Sequence, residues 1–252
     1  MHDGQELDLH PLDERYVEAY AVGSGIAPNG LPASPCCPLC LGELVPTPHQ
    51  RRGHRYFMHR READAARCPL STASYQPPEF AIGATRPDPL VAADQRAQFF
   101  RNWKRHFQIA RHHAPALTIE RFTCLIDYAD VMNLWSCAAL DQRDLPYVLL
   151  VLAGFIATHR KGETTVWLRF WFDGRVRTGA DLWRPGGPRA GFFRLQYRDP
   201  VHTPFPTGAD IVRWERIEHI DRIVDLPASG VGPAETRAFD RFLARDPGGR
   251  RA

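Results

Sequence analysis

The sequence predicts an α+β fold in which a small cysteine-bearing module precedes a larger helical and β-hairpin domain. Three observations carry this. Four of the six cysteines, Cys36, Cys37, Cys40 and Cys68, crowd into one short segment. Helical apolar patterns follow between residues 89 and 158, and strand-like alternation then occupies about 164–197. A content of 44% hydrophobic and 24% charged residues excludes a disordered chain, and 252 residues leave room for two modest domains.

In order, residues 1–35 form an acidic segment with a candidate short helix at Leu12–Ala21 and a Gly/Pro/Ser-rich tail. Residues 36–68 form the cysteine-bearing unit. Residues 69–89 contain five prolines and no period, which predicts a linker, and residues 90–252 form the α+β domain. Its first helix spans about 89–113, with Phe99, Trp103, Phe107 and Ala110 on one face and Arg101, Lys104, Arg105, Gln108, Arg111 and His112 on the other. The histidines at 106, 112 and 113 are expected in solvent. The second helix spans about 118–135, with Thr118 as N-cap and a stripe of Phe122, Leu125, Ile126, Ala129 and Met132. The third, about 144–158, has Asp144 as N-cap, Pro146 in its first turn and an apolar body fit for the centre of a fold.

Strands should occupy Thr164–Phe172 and Phe192–Tyr197. Asp173-Gly174 predicts a two-residue turn before Arg175-Val176-Arg177-Thr178-Gly179. Ile211–Ile223 alternates too irregularly to choose between helix and strand. A terminal helix of about 233–245 should pack Phe239, Phe242 and Leu243. The longest apolar run, Pro146–Ala157, is shorter than the roughly 18 residues a bilayer span needs, so no membrane partner is expected. The polar, acidic start does not read as a signal peptide, and a cytoplasmic location is expected.

Cysteines in that setting read as thiols or metal ligands rather than a disulfide framework. Cys124 and Cys137 are expected to be buried as small hydrophobes. Cys37-Pro38-Leu39-Cys40 is a knuckle whose two thiolates can close one edge of a zinc tetrahedron. A short hairpin should follow, turning at Arg51-Arg52-Gly53 and ending at His59, with Cys68 beyond. The pattern Cys37-x2-Cys40-x18-His59-x8-Cys68 predicts a closed, structural Zn2+ site, one per chain, in a zinc ribbon. Cys36 is the alternative to Cys37, and His54 or His49 to His59. A redox CxxC is the competing chemistry, though no βαβ pattern surrounds it.

The Cys-Pro-Leu-Cys run, the basic Gly turn, Phe57-Met58-His59 and the trailing Cys68 resemble the N-terminal zinc-finger-like region of the CoiA-like competence proteins. The resemblance covers about 35 residues, with Tyr56 where that family often has a histidine and Leu41 where it usually has glycine. It implies a bound metal and, in the family's second half, a nuclease-like domain using Asp…(Asp/Glu)-x-Lys. This chain's two lysines, Lys104 and Lys161, follow Asn102 and His159 at that spacing, so the lysine motif is missing. The sketch Asp181…Gln196-x-Arg198 substitutes an arginine that stays protonated.

The sequence also lacks a P-loop, a dinucleotide-binding glycine motif and a hydrolase elbow. A non-enzymatic role is therefore expected, in a bacterial or mobile-element protein. Residues 86–113 hold six basic residues against two acids although the whole chain is only +3. Arg101, Lys104, Arg105 and Arg111, backed by Arg51 and Arg52, form a candidate phosphate-tracking surface for DNA or RNA. Trp167, Arg169 and Trp171 alternate on one strand face that either stacks on bases or packs under another element. A protein–protein adaptor with an architectural zinc site and a degenerate metal-dependent nuclease are the rival readings.

Overall fold

A computed structural model describes residues 35–47, 57–71, 88–158, 165–176, 178–182, 190–218 and 230–245. The expected Leu12–Ala21 helix, the Arg51-Arg52-Gly53 turn, His49, His54 and most of the Pro-rich linker lie outside the described residues.

Asp88 starts the first long helix by accepting from the Leu90 and Val91 N–H groups at 3.0 and 3.2 Å, with Pro89 placed where its missing N–H costs nothing. The described helices are α1 (Glu62–Arg67), α2 (Pro89–His113), α3 (Ile119–Val131), α4 (Leu145–Leu152) and α5 (Pro233–Arg245). On α2 the predicted stripe of Phe99, Trp103, Phe107 and Ala110 is buried. Trp103 stacks on Phe239 of α5 with ring centroids 3.9 Å apart. His106 and His113 correct the solvent expectation, because both are buried, whereas His112 is exposed. His106 lies flat on Phe99 at 4.6 Å, since the α2 apolar stripe is wide enough to enclose it.

Thr118 caps α3 by accepting from the Arg121 N–H at 3.2 Å. Phe122, Leu125, Ile126 and Ala129 are buried, but Met132 is exposed: α3 ends at Val131, and a short 3-10 turn at Leu134–Ser136 replaces its expected last turn. Cys124 is exposed, contrary to expectation, because it lies off the α3 stripe; Cys137 is buried. The third helix is also shorter than predicted. Asp144 stands at its N-cap position without a side-chain cap, and Gly154, at φ +63, stops it. Ile156–Thr158 beyond that glycine is a strand. Phe239 is buried in α5 and Phe242 packs beside it, while Leu243 is exposed, which removes it from the expected contact set.

The strands are β1 (Leu44–Pro46), β2 (Phe57–His59), β3 (Ile156–Thr158), β4 (Val166–Phe172), β5 (Phe192–Arg198) and β6 (Ile211–Ile217). β1 and β2 form an antiparallel pair; the other four form an antiparallel sheet in the order β3-β4-β5-β6. Among the described residues β4 pairs with β3 and β5 and not with the segment after Asp173-Gly174, so the expected two-residue hairpin is not found there. Asp173 instead folds back locally, accepting from Arg175 N at 3.0 Å and from Gly191 N, while its own N–H donates to the Gly191 carbonyl at 2.8 Å. That latch diverts the chain and closes the base of β4 and β5.

Ile211–Ile217 is a strand, and its irregular alternation has a cause. Gln196 faces Arg213 but Tyr197 faces Ile211, so Val212 is the extra residue of a bulge. The bulge returns Ile211 to the face shared with Trp214 and Tyr197 and leaves Val212 exposed.

The sheet is covered on both sides. Leu168, Phe170, Phe172, Phe192 and Ile217 pack in the helical core with α2, α3 and α4. On the opposite face Trp171, Phe193, Leu195, Tyr197, Ile211 and Trp214 share one apolar cluster with Cys37, Leu39, Leu44, Cys68 and Leu70. The cysteine-bearing segment is thus the third layer of an α+β molecule. Leu39 and Leu44 lose essentially all contact with water there, worth about 1.5–3 kcal/mol each.

Candidate metal centre

The knuckle is built by backbone hydrogen bonds around two cysteines. Leu41 N donates to the Cys37 carbonyl at 2.8 Å, Cys37 N to the Gly42 carbonyl at 2.9 Å, and Gly42 N to Cys40 Sγ at 3.4 Å. Closing this turn puts Leu41 at φ +62, a left-handed conformation that disfavours a side chain. Gly42 then permits close approach: a Cβ there would sit 2.9 Å from the Asp64 Cβ and 3.1 Å from the His59 ring. The β1–β2 register sets Leu44 opposite His59, which turns the imidazole toward the knuckle. The short helix α1 then carries the chain to Cys68, whose N–H donates to the Asp64 carbonyl at 3.0 Å.

These elements bring together the four residues the sequence singles out. One ligand atom from each of Cys37, Cys40, His59 and Cys68 lies within 4.8 Å of every other. Cys37 Sγ is 3.6 Å from Cys68 Sγ, and Cys40 Sγ is 3.1 Å from His59 Nε2. Zinc–sulfur bonds of about 2.3 Å in a tetrahedron require sulfur–sulfur edges of about 3.8 Å, so the cluster is near that size. Cys37, Cys68 and His59 are buried and Cys40 is half-buried. Cys36 stands outside the four, exposed, and bridged through its backbone to Glu43.

The electrostatics show what the cluster lacks on its own. Burial pushes the Cys37 thiol up to about 12 and Cys68 well above the ordinary thiol range. Hydrogen bonds from Cys37 first, then from Cys68, hold Cys40 far below it. Burial thus opposes ionisation of the two inner thiols, Cys37 and Cys68. A bound dication reverses that balance by stabilising all three as thiolates. The four residues can hold a metal ion.

The centre is anchored to the sheet. A Cβ on Gly174, in the turn after β4, would stand 2.5 Å from the Cys40 carbonyl oxygen, so knuckle and turn are in backbone contact. Of the candidate stacking face, Trp171 and Arg169 are buried and Trp167 is half-buried. The Arg169 guanidinium lies over the Phe155 and Trp171 rings at 5.0 and 4.8 Å. Packing under the cysteine-bearing layer is therefore the role of that face, and base stacking is set aside.

The basic candidates separate. Arg101 is exposed on α2, and Lys104 and Arg105 are half-exposed. Arg111 is withdrawn from the expected row. It pairs with Glu235 of α5, donates to the Gly230 carbonyl and lies over the Phe107 ring at 4.8 Å. Arg51 and Arg52 lie outside the described residues.

Two features had no sequence signal. The Asp173-Gly174 pair signals only a turn, and the approach of Gly174 to Cys40 depends on the layering. Ser71, just past Cys68, places its hydroxyl 3.3 Å from His59 Nδ1. Among the described residues, no helix is long and apolar enough to cross a membrane. In comparison with known proteins, the chain matches no family model, no curated protein and no solved structure.

Proposed function

We propose that the protein is a zinc-binding protein in which Cys37, Cys40, His59 and Cys68 hold one structural Zn2+. The observation that carries this reading is the convergence of three sulfurs and one imidazole nitrogen within 4.8 Å. That donor set prefers zinc to magnesium or calcium, which take oxygen ligands. Four protein ligands fill a tetrahedron and leave no position for water or substrate, which supports an architectural, non-catalytic centre. The part resemblance to the CoiA-like zinc-finger region supports the same reading of these four residues.

Metal analysis of the full chain tests it. Zinc should be found at one per chain and be lost in Cys37→Ala, Cys40→Ala, His59→Ala and Cys68→Ala, but kept in Cys36→Ala. Full zinc occupancy in Cys68→Ala would sink the assignment.

A second reading, contact with DNA or RNA, is favoured by the solvent side of α2. Arg101, Lys104 and Arg105 recur there at helical spacing and make no ion pair among the described residues. With Arg111 engaged by Glu235, α2 itself offers three phosphate contacts, which alone give a log–log salt slope of about −2.5. Reversing Arg101 and Arg105 to Glu should weaken binding to every sequence alike, because phosphate contacts position without specifying. Negligible affinity in both forms, with a protein recovered as partner instead, would favour the adaptor reading.

A further inference from the structure

We infer that Ser71 is a positioning residue for the metal centre: it fixes the tautomer of His59 so that Nε2, not Nδ1, is the ligand. This deepens the zinc reading and rests on it. The Ser71 hydroxyl has two neighbours. It donates to the Ala65 carbonyl of α1 at 2.9 Å, and it lies 3.3 Å from His59 Nδ1. A hydroxyl has one proton. With that proton on the Ala65 carbonyl, the oxygen meets Nδ1 as an acceptor, so Nδ1 carries the hydrogen. A neutral imidazole protonated at Nδ1 bears its lone pair on Nε2. Nε2 is the nitrogen that lies 3.1 Å from Cys40 Sγ, inside the ligand cluster.

The relay is set by the same segment that supplies the last ligand. Ser71 N donates to the Cys68 carbonyl at 3.1 Å, closing a turn that swings the serine back over the imidazole. The Ala65 carbonyl belongs to the last turn of α1, where carbonyls lack helical partners. One side chain therefore satisfies a helix end and orients a ligand. Hydrogen-bond partners behind a metal-bound histidine typically change affinity by about 10–100-fold when removed. Ser71 is exposed, so water replaces part of the lost bond and the low end of that range applies.

The test is zinc affinity of the full chain by competition with a chromophoric chelator, for wild type, Ser71→Ala and Ser71→Thr. Long-range proton–nitrogen NMR of His59 in the zinc-loaded protein accompanies it. Ser71→Ala should bind zinc about tenfold more weakly, and Ser71→Thr, which keeps the hydroxyl, should restore wild-type affinity. Wild type should show a protonated Nδ1 whose hydrogen exchanges slowly with water, and Ser71→Ala should speed that exchange. A purely helix-capping serine would leave the exchange unchanged. Equal affinity in wild type and Ser71→Ala, or coordination through Nδ1, overturns the assignment while leaving the zinc centre intact. A wild-type chain that takes up no zinc overturns the zinc reading itself.

Discussion

Leu41 holds a left-handed backbone immediately after the second knuckle cysteine and is 44% exposed. The strain of about 1–2 kcal/mol is therefore offset by little packing. Leu41→Gly should raise stability by roughly 0.5–1 kcal/mol after the entropy of glycine is charged against it. Chemical denaturation of the zinc-loaded chain measures this, and a loss of stability would show that the leucine packs more than its exposure suggests. His106 makes the opposite case, a polar group enclosed. Burial lowers its pKa from 6.5 to about 4, with the Arg105 charge adding a little and the Gln142 amide opposing. The unfolded chain takes up the proton first as pH falls. The contribution of His106 is thus fully present above pH 6.5 and is lost by pH 4, at about 3 kcal/mol. His106→Leu should flatten that part of the pH dependence, read as the difference between denaturation midpoints at pH 7 and 4.5. Parallel slopes for both proteins would mean that His106 is not buried in neutral form.

At the scale of elements, the contact between the β4 turn and the knuckle is the most exacting. A methyl group at Gly174 would meet the Cys40 carbonyl at 2.5 Å, backbone against side chain, with nothing flexible to give. Gly174→Ala should cost about 1–3 kcal/mol and weaken zinc binding together, because the displaced atom belongs to a ligand residue. Melting temperature and zinc affinity both unchanged would show that the two layers do not touch there. The helices and strands differ in how far the sequence foretold them. The α2 stripe was legible because large aromatics recur at the helical period, whereas its Asp88 cap is shown only by the structure. The end of α4 was not, because Val-Leu-Ala-Gly-Phe-Ile-Ala is apolar in either conformation and the decision falls to one glycine at positive φ. β6 resisted reading for a different reason: a bulge resets the alternation in mid-strand.

For the whole molecule, two apolar clusters lie on opposite faces of one sheet, and the candidate ligands Cys37 and Cys68 belong to only one of them. Stripping zinc with a strong chelator should act on that face first. Tryptophan emission from Trp171 and Trp214 should shift to the red while the helical circular dichroism persists, since Trp103 and Trp135 sit with the helices. At a thousandfold excess over its dissociation constant the metal contributes about 4 kcal/mol to the folded state. Simultaneous loss of both signals would show a single cooperative unit. The cluster of Cys37, Cys40, His59 and Cys68 was legible from spacing together with the expected hairpin, because metal chemistry restricts residue type and interval. What covers the Trp171 face was not, because its partners, Cys37, Leu39 and Leu44, come more than a hundred residues earlier in the chain.

That same separation orders events during synthesis. Cys37, Leu39, Leu44 and Cys68 leave the ribosome before β4, β5 and β6, which cover them, have been made. From Cys68 to Trp214 is about 146 residues, or roughly 7–30 s of elongation. Over that interval the thiols have no sheet to shield them, and on the proposed zinc reading an early-bound ion would keep them from oxidation and from each other's chains. The yield of native protein should therefore depend on the zinc present while the chain is growing, more than on zinc supplied to it afterwards.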